Sequence, residues 1–253
     1  MSEFSIRAAR ADDLPRLTQL LPAWALDTAG FVDGDGDEQL LLALTASAPL
    51  ACLRVQRHVG LGDPRYWFHV GCRVHAASEL GMFRRERTLL LGNDHTGAAE
   101  ISDFALVSSL DSDLRARMAQ ELVRAALRWL QLGERADTPR VIAGLPGLRN
   151  EDGSAPFWNG LGRHFFPGDV DEALARYGNL WQTHVAALLP RHPLVVSVLQ
   201  PEAQAAIGAI HADALVWRDA LRDNGLRAGQ HISLHDGGPV FEAHLERTDG
   251  RNA

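Results

Sequence analysis

The residues Gly92-Asn93-Asp94-His95-Thr96-Gly97-Ala98-Ala99-Glu100 lead into a strand-like run at 101–107, and a long amphipathic segment follows at 111–130. In that segment apolar residues recur every three or four positions, which predicts a helix with one buried face. Asp111 or Ser112 can cap its beginning, and Gly133 can end it. A turn, a central strand and a long helix therefore follow one another directly.

Further strand and helix patterns surround this unit. Apolar runs and alternation predict strands at 4–8, 50–59, 66–74, 88–91 and 140–143. Helical spacing predicts helices at 14–21, 37–44, 157–161 and 215–224, whereas 27–37 is typical of a loop and 165–210 of helices and loops. Asp236-Gly237-Gly238 separates two strand-like runs, 230–234 and 239–245, and is typical of a hairpin turn.

This order predicts an α/β protein whose sheet mixes parallel and antiparallel strands. Early hairpins, and the lack of a G-x-G-x-x-G motif after the first strand, argue against a dinucleotide-binding Rossmann domain. The same order resembles the acyl-CoA N-acyltransferase fold of the GNAT superfamily, a mixed sheet flanked by helices. We expect one such domain over residues 1–253, with 165–210 as a helical insertion before the C-terminal hairpin. Order alone says little about function.

Composition limits the classes of function. The 253 residues are 46% hydrophobic and 23% charged, as in a globular protein. With 25 basic and 32 acidic residues the formal net charge is −7, which disfavours nucleic acids and anionic membranes as partners. Every basic residue is Arg, so a Walker phosphate loop and Schiff-base catalysis by lysine are both excluded.

The two cysteines, Cys52 and Cys72, can supply neither a disulfide framework nor a cysteine zinc site, and we expect both to be reduced. The histidines form no H-E-x-x-H or similar ligand set, so we predict no metal. No apolar run approaches the roughly 20 residues that span a bilayer, and the N-terminus lacks the order of a signal peptide. The chain is therefore expected to be cytoplasmic.

Six sequence blocks occur in one order between about residues 55 and 242. They are Val59-Gly60-Leu61-Gly62-Asp63-Pro64, the 92–100 block quoted above, Ala155-Pro156-Phe157-Trp158-Asn159-Gly160-Leu161-Gly162-Arg163-His164-Phe165-Phe166, Leu189-Pro190-Arg191-His192-Pro193, Glu202-Ala203-Gln204-Ala205-Ala206-Ile207-Gly208-Ala209-Ile210-His211 and His235-Asp236-Gly237-Gly238-Pro239. Together they resemble the arginine N-succinyltransferase family. Several blocks in one order are more specific than any single motif.

The resemblance implies a GNAT-like acyltransferase that moves succinyl from succinyl-CoA to the α-amino group of L-arginine, in arginine catabolism. The expected co-substrate is succinyl-CoA, with no tightly bound cofactor. Some members accept ornithine and some work as pairs of related subunits, so another amine and a homo-oligomer or related-subunit hetero-oligomer stay open. By the family's pattern His211 is the proton donor, and Phe104, where the family usually has Leu, contacts succinyl-CoA.

Two features depart from the family's pattern. The helix after the central strand usually begins with a Gly-containing turn that can accept the pyrophosphate of CoA, whereas residues 114–119 contain no Gly. The usual family chain also continues well past the Asp-Gly-Gly-Pro hairpin, and this sequence ends at Ala253. These departures leave open a second hypothesis, a catalytically weakened paralogue that acts as a partner subunit.

The first turn of the long helix holds candidates for binding the cofactor portion of the substrate. Arg115 and Arg117 stand where backbone N–H groups and guanidinium groups can hold a pyrophosphate. Asp111 and Asp113 stand in the same turn and oppose an anion. Ordinary solvated helix charges are the alternative reading of these arginines.

The residues on both sides of the central Thr-Gly turn are candidates for the amine substrate. His95 and Glu100 can bind a cationic amino acid or serve as base, or they can be a turn residue and a carboxylate at the start of a strand. Asp94 and Asp103 have weaker claims, and alternation places Asp103 on the face opposite Phe104.

Two aromatic pairs, Phe157-Trp158 and Phe165-Phe166, bracket further polar candidates. The aromatic side chains predict core packing rather than a cofactor site, because they carry large apolar areas. Arg163 and His164 between them are better candidates for a polar contact, including recognition of a carboxylate.

Overall fold

The structure is a computed structural model that describes residues 4–17, 20, 36–45, 48–132 and 140–245. Its strands are β1 (Ser5–Ala8), β2 (Glu38–Thr45), β3 (Ala48–Gln56), β4 (Trp67–Ala77), β5 (Met82–Gly92), β6 (Ala99–Leu106), β7 (Arg140–Gly144), β8 (Leu194–Val195), β9 (Arg227–Ser233) and β10 (Pro239–His244). Its α-helices are α1 (Leu14–Leu17), α2 (Ser112–Gln131), α3 (Pro156–Gly160), α4 (Val170–Tyr177), α5 (Trp181–Leu188), α6 (Pro201–Ala206) and α7 (Leu215–Asp223). Most of the predicted 27–37 loop, the end of the 14–21 helix and Gly133 lie outside these residues.

The described strands form one sheet in the order β1-β2-β3-β6-β7-β10-β9-β4-β5-β8. Within it β6 and β7 run parallel, and the other paired strands of the described chain are antiparallel. The predicted α/β class, with a mixed sheet flanked by helices, is confirmed. The predicted C-terminal hairpin is present as β9 and β10, and it lies between β7 and β4.

The prediction of a helix at 37–44 is wrong, because these residues form strand β2. Leu41 and Ala43 pack in the cluster that contains α2, whereas Leu40 and Leu42 pack on the opposite side with Leu17 of α1. A central strand that is buried on both faces has consecutive apolar residues, and a short run of this kind does not distinguish strand from helix.

Helix α2 forms as predicted and covers one face of the sheet. The carboxylate of Asp111 caps it by accepting a hydrogen bond from the Leu114 N–H at 2.9 Å. Met118 and Leu122 on its apolar face pack with Ile101 of β6 in the largest buried cluster. Full burial of a side chain of this size stabilises the fold by about 1.5–3 kcal/mol. Helix α7 packs beside α2 on the same face.

A second buried cluster joins strands β4, β5 and β9 to the segments between β7 and β9. Phe68, Leu89 and Ile232 of the strands contact Phe157, Trp181 and their neighbours. Both predicted aromatic pairs belong to this cluster or pack against it. Their assignment to the core is therefore confirmed, and helices α3 to α6 are anchored on the sheet.

Candidate active site

Strands β6 and β7 pair at Ala99–Val141, Glu100–Ile142 and Ile101–Ala143, and their pairing ends there. Beyond Ile101, no strand of the described chain pairs with the β7 side of β6. Main-chain groups at the carboxyl ends of such strands are free to meet a ligand, and ligands of open α/β sheets bind at this edge. We call the space beyond Ile101 and Ala143 the β6–β7 cleft.

A β-bulge shapes the β6 wall of the cleft. One residue of β3, Leu53, stands opposite two residues of β6, Asp103 and Phe104. Asp103 has φ of +50°, which is uncommon for a residue other than Gly. Its carboxylate pairs with Arg54 at 2.5 Å, while the Phe104 ring packs on Trp217 with centroids 4.9 Å apart. The two side chains therefore point to opposite faces, as predicted.

The segment that directly follows β7 binds the main chain of His211, which lies between α6 and α7. The main-chain N–H of His211 donates to the carbonyl of Pro146 at 2.9 Å. The Nδ1 atom accepts a hydrogen bond from the Asp213 N–H at 3.3 Å and so caps the turn Ala212–Ala214. This bond places the proton of the neutral imidazole on Nε2. His211 can therefore donate from Nε2, and its side chain is 35% exposed.

The beginning of α2 follows β6 and presents the two predicted arginines. Arg115 is half-buried, and its Nε is buried without a hydrogen-bond partner in the described chain. Arg117 is exposed. A buried N–H without a partner is costly, and an anion bound there would supply an acceptor.

Glu100 lies at the beginning of β6 and faces away from α2. Its neighbours Ala99 and Ile101 pack in the α2 cluster, so alternation sends the Glu100 side chain to the other face. The residue is 4% exposed, and Arg65 Nη2 lies 3.2 Å from its Oε1. Burial raises the pKa of the Glu100 carboxyl, while the Arg65 guanidinium opposes this shift. Phe104 is four residues further along the strand, about 13 Å away at about 3.3 Å per residue.

His95 is buried in the turn before β6. It is 1% exposed, and neither ring nitrogen has a hydrogen-bond partner in the described chain. Its ring meets the rings of Trp67 and His231 at centroid distances of 5.1 and 4.2 Å. Burial lowers the pKa of His95 to about 4, and His231 and Arg140 add to the shift. The imidazole is therefore neutral at pH 7, which favours a hydrogen-bonding role over a charged one.

Arg163 and His164 are exposed on the turn Gly162–His164 after α3. Helix α3 packs on α6, where a Cβ on Gly160 would lie 2.4 Å from the Cβ of Ala203. The predicted substrate-binding residues are thus divided between the beginning of β6 and the exposed turn after α3.

Sequence reasoning missed Asp236, which it treated only as part of a hairpin turn. The residue is 2% exposed, and its carboxylate accepts from the N–H groups of Gly147 and Gly238, each at 2.9 Å, and from the Ser233 hydroxyl. Burial alone would raise the pKa of Asp236, but the His235 imidazole and these hydrogen bonds hold it below its ordinary value. Asp236 thereby ties the segment after β7 to the hairpin.

The partners of two candidates were missed as well. Arg65, which pairs with Glu100, lies 35 positions from it in the sequence. His231 Nε2 lies 3.1 Å from Asp94 Oδ2, and these two residues are 137 positions apart. No local sequence pattern predicts pairs of residues that are so far apart in the chain.

In the part of the chain that the structure describes, no group of three or more His, Cys, Asp or Glu residues is arranged to hold a metal ion. Both cysteines are free, with Cys52 buried and Cys72 exposed. None of the helices within the described ranges has the length and apolar character needed to cross a membrane.

The low pKa of His95 predicts that stability depends on pH. The unfolded chain takes up the proton near pH 6.5, whereas folded His95 does so only near pH 4. The free energy of unfolding is therefore expected to fall as the pH is lowered from about 6.5 to about 4, by up to about 3 kcal/mol. Urea unfolding of wild type and of His95→Phe across this range measures it. In His95→Phe the free energy of unfolding should fall less steeply with decreasing pH over this range. Equal pH dependence in wild type, His95→Phe and His95→Gln would contradict a lowered pKa of His95.

Comparison with known proteins places this geometry in context. The family model described as arginine N-succinyltransferase beta subunit matches residues 28–249. An arginine N-succinyltransferase of Yersinia pestis is 33% identical over 217 residues, which are 85% of this chain and 59% of that protein. Another, from Salmonella arizonae, is 35% identical over 191 residues, 75% of this chain and 54% of that protein. The chain thus spans little more than half the length of these curated relatives.

A solved structure shares the fold. The arginine/ornithine succinyltransferase subunit AI from Pseudomonas aeruginosa superposes with a TM-score of 0.74 at 22% sequence identity. The match covers 97% of this chain and 78% of that one. At this identity the likeness establishes the architecture alone.

Proposed function

Since this chain belongs to the arginine N-succinyltransferase family, we propose that it transfers succinyl from succinyl-CoA to the α-amino group of L-arginine. The observation that carries this proposal is the family match over residues 28–249. The β6–β7 cleft supports it, because the bulge of β6 borders the cleft and the His211 main chain is bonded to Pro146, two residues after β7 ends.

The proposed reaction is a direct attack in a ternary complex. The neutral α-amine attacks the thioester carbonyl carbon, a C–N bond forms, and the C–S bond breaks with its electron pair going to sulfur. Main-chain N–H groups of β6 beyond Ile101 stabilise the developing oxyanion, with Phe104 at this position. His211 acts as the general acid in its protonated form, in which the Nδ1–H faces the Asp213 carboxylate at 3.6 Å. Its Nε2–H protonates the departing thiolate, which leaves a neutral imidazole. The proton lost by the attacking nitrogen passes to solvent, and solvent reprotonates His211.

Binding of the CoA portion is assigned to the beginning of α2. Arg115 and Arg117 provide guanidinium groups for its phosphates, and the unpartnered Nε of Arg115 supports this role. Succinyl-CoA is a co-substrate here, and no tightly bound cofactor is proposed.

Binding of arginine is assigned to the beginning of β6. The contact between Glu100 and Arg65 shows that a guanidinium group can lie against this carboxylate, which has further acceptor sites. His95, neutral in its buried position, would orient the amino acid by a hydrogen bond. Arg163 and His164 are proposed to receive a carboxylate group of a substrate.

The same proposal covers the organisation of the chain. We place residues 165–210 as an insertion within one acyltransferase domain, since the second core cluster joins them to β4, β5 and β9. The two free thiols support a cytoplasmic setting. No nucleic acid or membrane is proposed as a partner, in keeping with the formal net charge of −7.

Thiol release from acyl-CoA tests the proposal. With succinyl-CoA and L-arginine we expect steady release of CoA and one succinylated product, with a lower kcat/KM for acetyl-CoA. L-Ornithine and L-lysine, tested in parallel, establish the choice of amine. If the folded protein turns over no pair, the proposed activity is wrong, and saturable heat in a titration with CoA then separates an inactive binder from a pure interaction subunit.

A further inference from the structure

Strands β4 and β5 continue past the rest of the sheet as a two-stranded arm, residues 70–87. Strand β9 pairs with β4 over Trp67–His69, and β8 pairs with β5 at Thr88 and Leu89. Beyond these points neither strand of the arm has a second neighbour among the described strands. At its base the arm still contacts the body, where the Ser197 hydroxyl donates to Glu86 at 2.8 Å and Arg87 donates to the carbonyl of Gln204 at 3.3 Å. A lone two-stranded hairpin is only marginally stable in water, so the outer part of the arm gains from a surface to pack against.

One face of the arm carries an apolar stripe that begins in the core. Residues directly opposite each other in an antiparallel pair share a face, and the pairs Val70–Leu89 and Ala76–Phe83 lie on the same one. Leu89 is fully buried in the second core cluster, and Val70 packs against it. Further out on this face, Val74 is 51% and Phe83 66% exposed. Arg87 and Arg85 stand opposite Cys72 and Val74 on this face, and the Arg85 guanidinium lies 5.8 Å from the centroid of the Phe83 ring. Exposed apolar side chains and arginines therefore share the part of this face that enters solvent.

The tip of the arm adds to this surface. Leu80, in the turn Ser78–Leu80, is 77% exposed, and Met82 beside it is 45% exposed. Large apolar side chains that are grouped and exposed mark interaction sites, whereas single ones are ordinary on any surface. We call Val74, Leu80 and Phe83 the arm surface.

Charge indicates what covers the arm surface. The arm has four arginines and two glutamates, a formal charge of +2, whereas the other residues of the chain include 21 basic and 30 acidic side chains, a formal charge of −9. Two arms would repel each other, but an arm would be attracted to the acidic body of another copy. A reciprocal contact of this kind is self-complementary and closes with two-fold symmetry.

We propose that the arm surface docks onto the body of a second copy of this chain, so that two copies exchange arms in a two-fold dimer. Phe83 and Leu80 supply the apolar anchors, and the arginines of the arm set the direction of docking. The proposal rests on the exposed stripe and the charge distribution, independently of the acyl-transfer activity.

The two cysteines provide a reporter. Cys72 lies on the same face of the arm as Val74 and is exposed, whereas Cys52 is buried in β3. Burial raises the pKa of the Cys52 thiol to about 12, so that it stays protonated and unreactive near pH 8. A thiol reagent therefore reacts with Cys72 alone, and the rate of this reaction reports how accessible the arm is.

Sedimentation velocity over about 1–100 μM protein tests the dimer directly. Wild type is expected to move from the 27.6 kDa monomer toward twice that mass, with a dissociation constant that rises at high salt. Phe83→Asp and Leu80→Asp should each weaken association by at least about tenfold. Leu132→Asp is the matched control, since Leu132 is 85% exposed at the end of α2, and it should leave association unchanged.

The reactivity of Cys72 gives a second readout. In wild type its rate with a thiol reagent should fall as the protein concentration passes through the dissociation constant, and in Phe83→Asp it should not. A wild type that is monomeric at every concentration overturns the proposal. A dimer that persists unchanged in Phe83→Asp and Leu80→Asp, with Cys72 equally reactive throughout, overturns it as well.

Discussion

Replacement of His211 by Asn is expected to preserve the fold and to lower turnover of succinyl-CoA and arginine about a hundredfold or more at neutral pH. In the neutral ring Nδ1 of His211 accepts a hydrogen bond from the Asp213 N–H, and in the protonated ring the Nε2–H is the acid for the departing thiolate. The amide oxygen of Asn can accept the same bond, so the variant keeps the cap of the turn and loses only the acid. Steady-state kinetics beside a thermal unfolding curve measure both effects.

The His211→Ala variant separates catalysis from structure. It loses the acid and the cap together, so we expect the same loss of turnover and an added loss of stability of about 1 kcal/mol. If the thiolate needs no acid and His211 instead orients the amine, the KM for arginine rises in both variants while kcat holds. Wild-type kcat and KM values in His211→Asn would remove His211 from the site.

Replacement of Asp236 by Ala is expected to destabilise the protein by about 3–5 kcal/mol and to reduce activity with it. Two N–H groups and a hydroxyl donate to this buried carboxylate, and all three would lose their partner. Gly147, one of these donors, follows Pro146, whose carbonyl holds the His211 main chain. The segment after β7 that binds the His211 main chain would therefore loosen. Urea unfolding at pH 7 gives the loss of stability.

Two comparisons sharpen this test. Asp152→Ala is the matched control for Asp236→Ala, because Asp152 also accepts from a backbone N–H and a serine hydroxyl but is exposed. The control should cost less than about 0.5 kcal/mol. The lowered pKa of Asp236 stabilises the fold above its unfolded pKa near 3.8, and this contribution is lost as the pH falls through the folded value. Equal stabilities of the Asp236 and Asp152 variants would contradict the role given to the buried carboxylate.

The elements that could be predicted from the sequence are those with a strong period or a distinctive turn. Helix α2 has an apolar repeat with Asp111 at its beginning, and the β9–β10 hairpin has Asp236-Gly237-Gly238. The prediction of a helix in place of strand β2 was wrong because its consecutive leucines are buried on both faces of the sheet. Such a run shows neither the alternation of a half-exposed strand nor the spacing of an amphipathic helix.

The site was harder to predict because its contacts are long-range. The bulge at Asp103 depends on how β3 pairs with β6, and the pairing of Arg54 with Asp103 spans 49 positions. The family blocks identified His211 and the 92–100 turn, but the burial of His95 and Glu100 arises from strands far along the chain. The candidate residues could therefore be named from the sequence, but their partners and the shifts in their pKa values could be known only from the folded structure.

The strand order β7-β10-β9-β4 also has a consequence for how the protein is made. On the ribosome, β1 to β7 emerge well before β9 and β10, yet in the described sheet only this last hairpin bridges β7 and β4. Until it arrives, β7 and β4 each present an open edge, and bridging contacts of such long sequence separation form slowly. The nascent chain is thus exposed to intermolecular strand pairing until residues near 240 have left the exit tunnel.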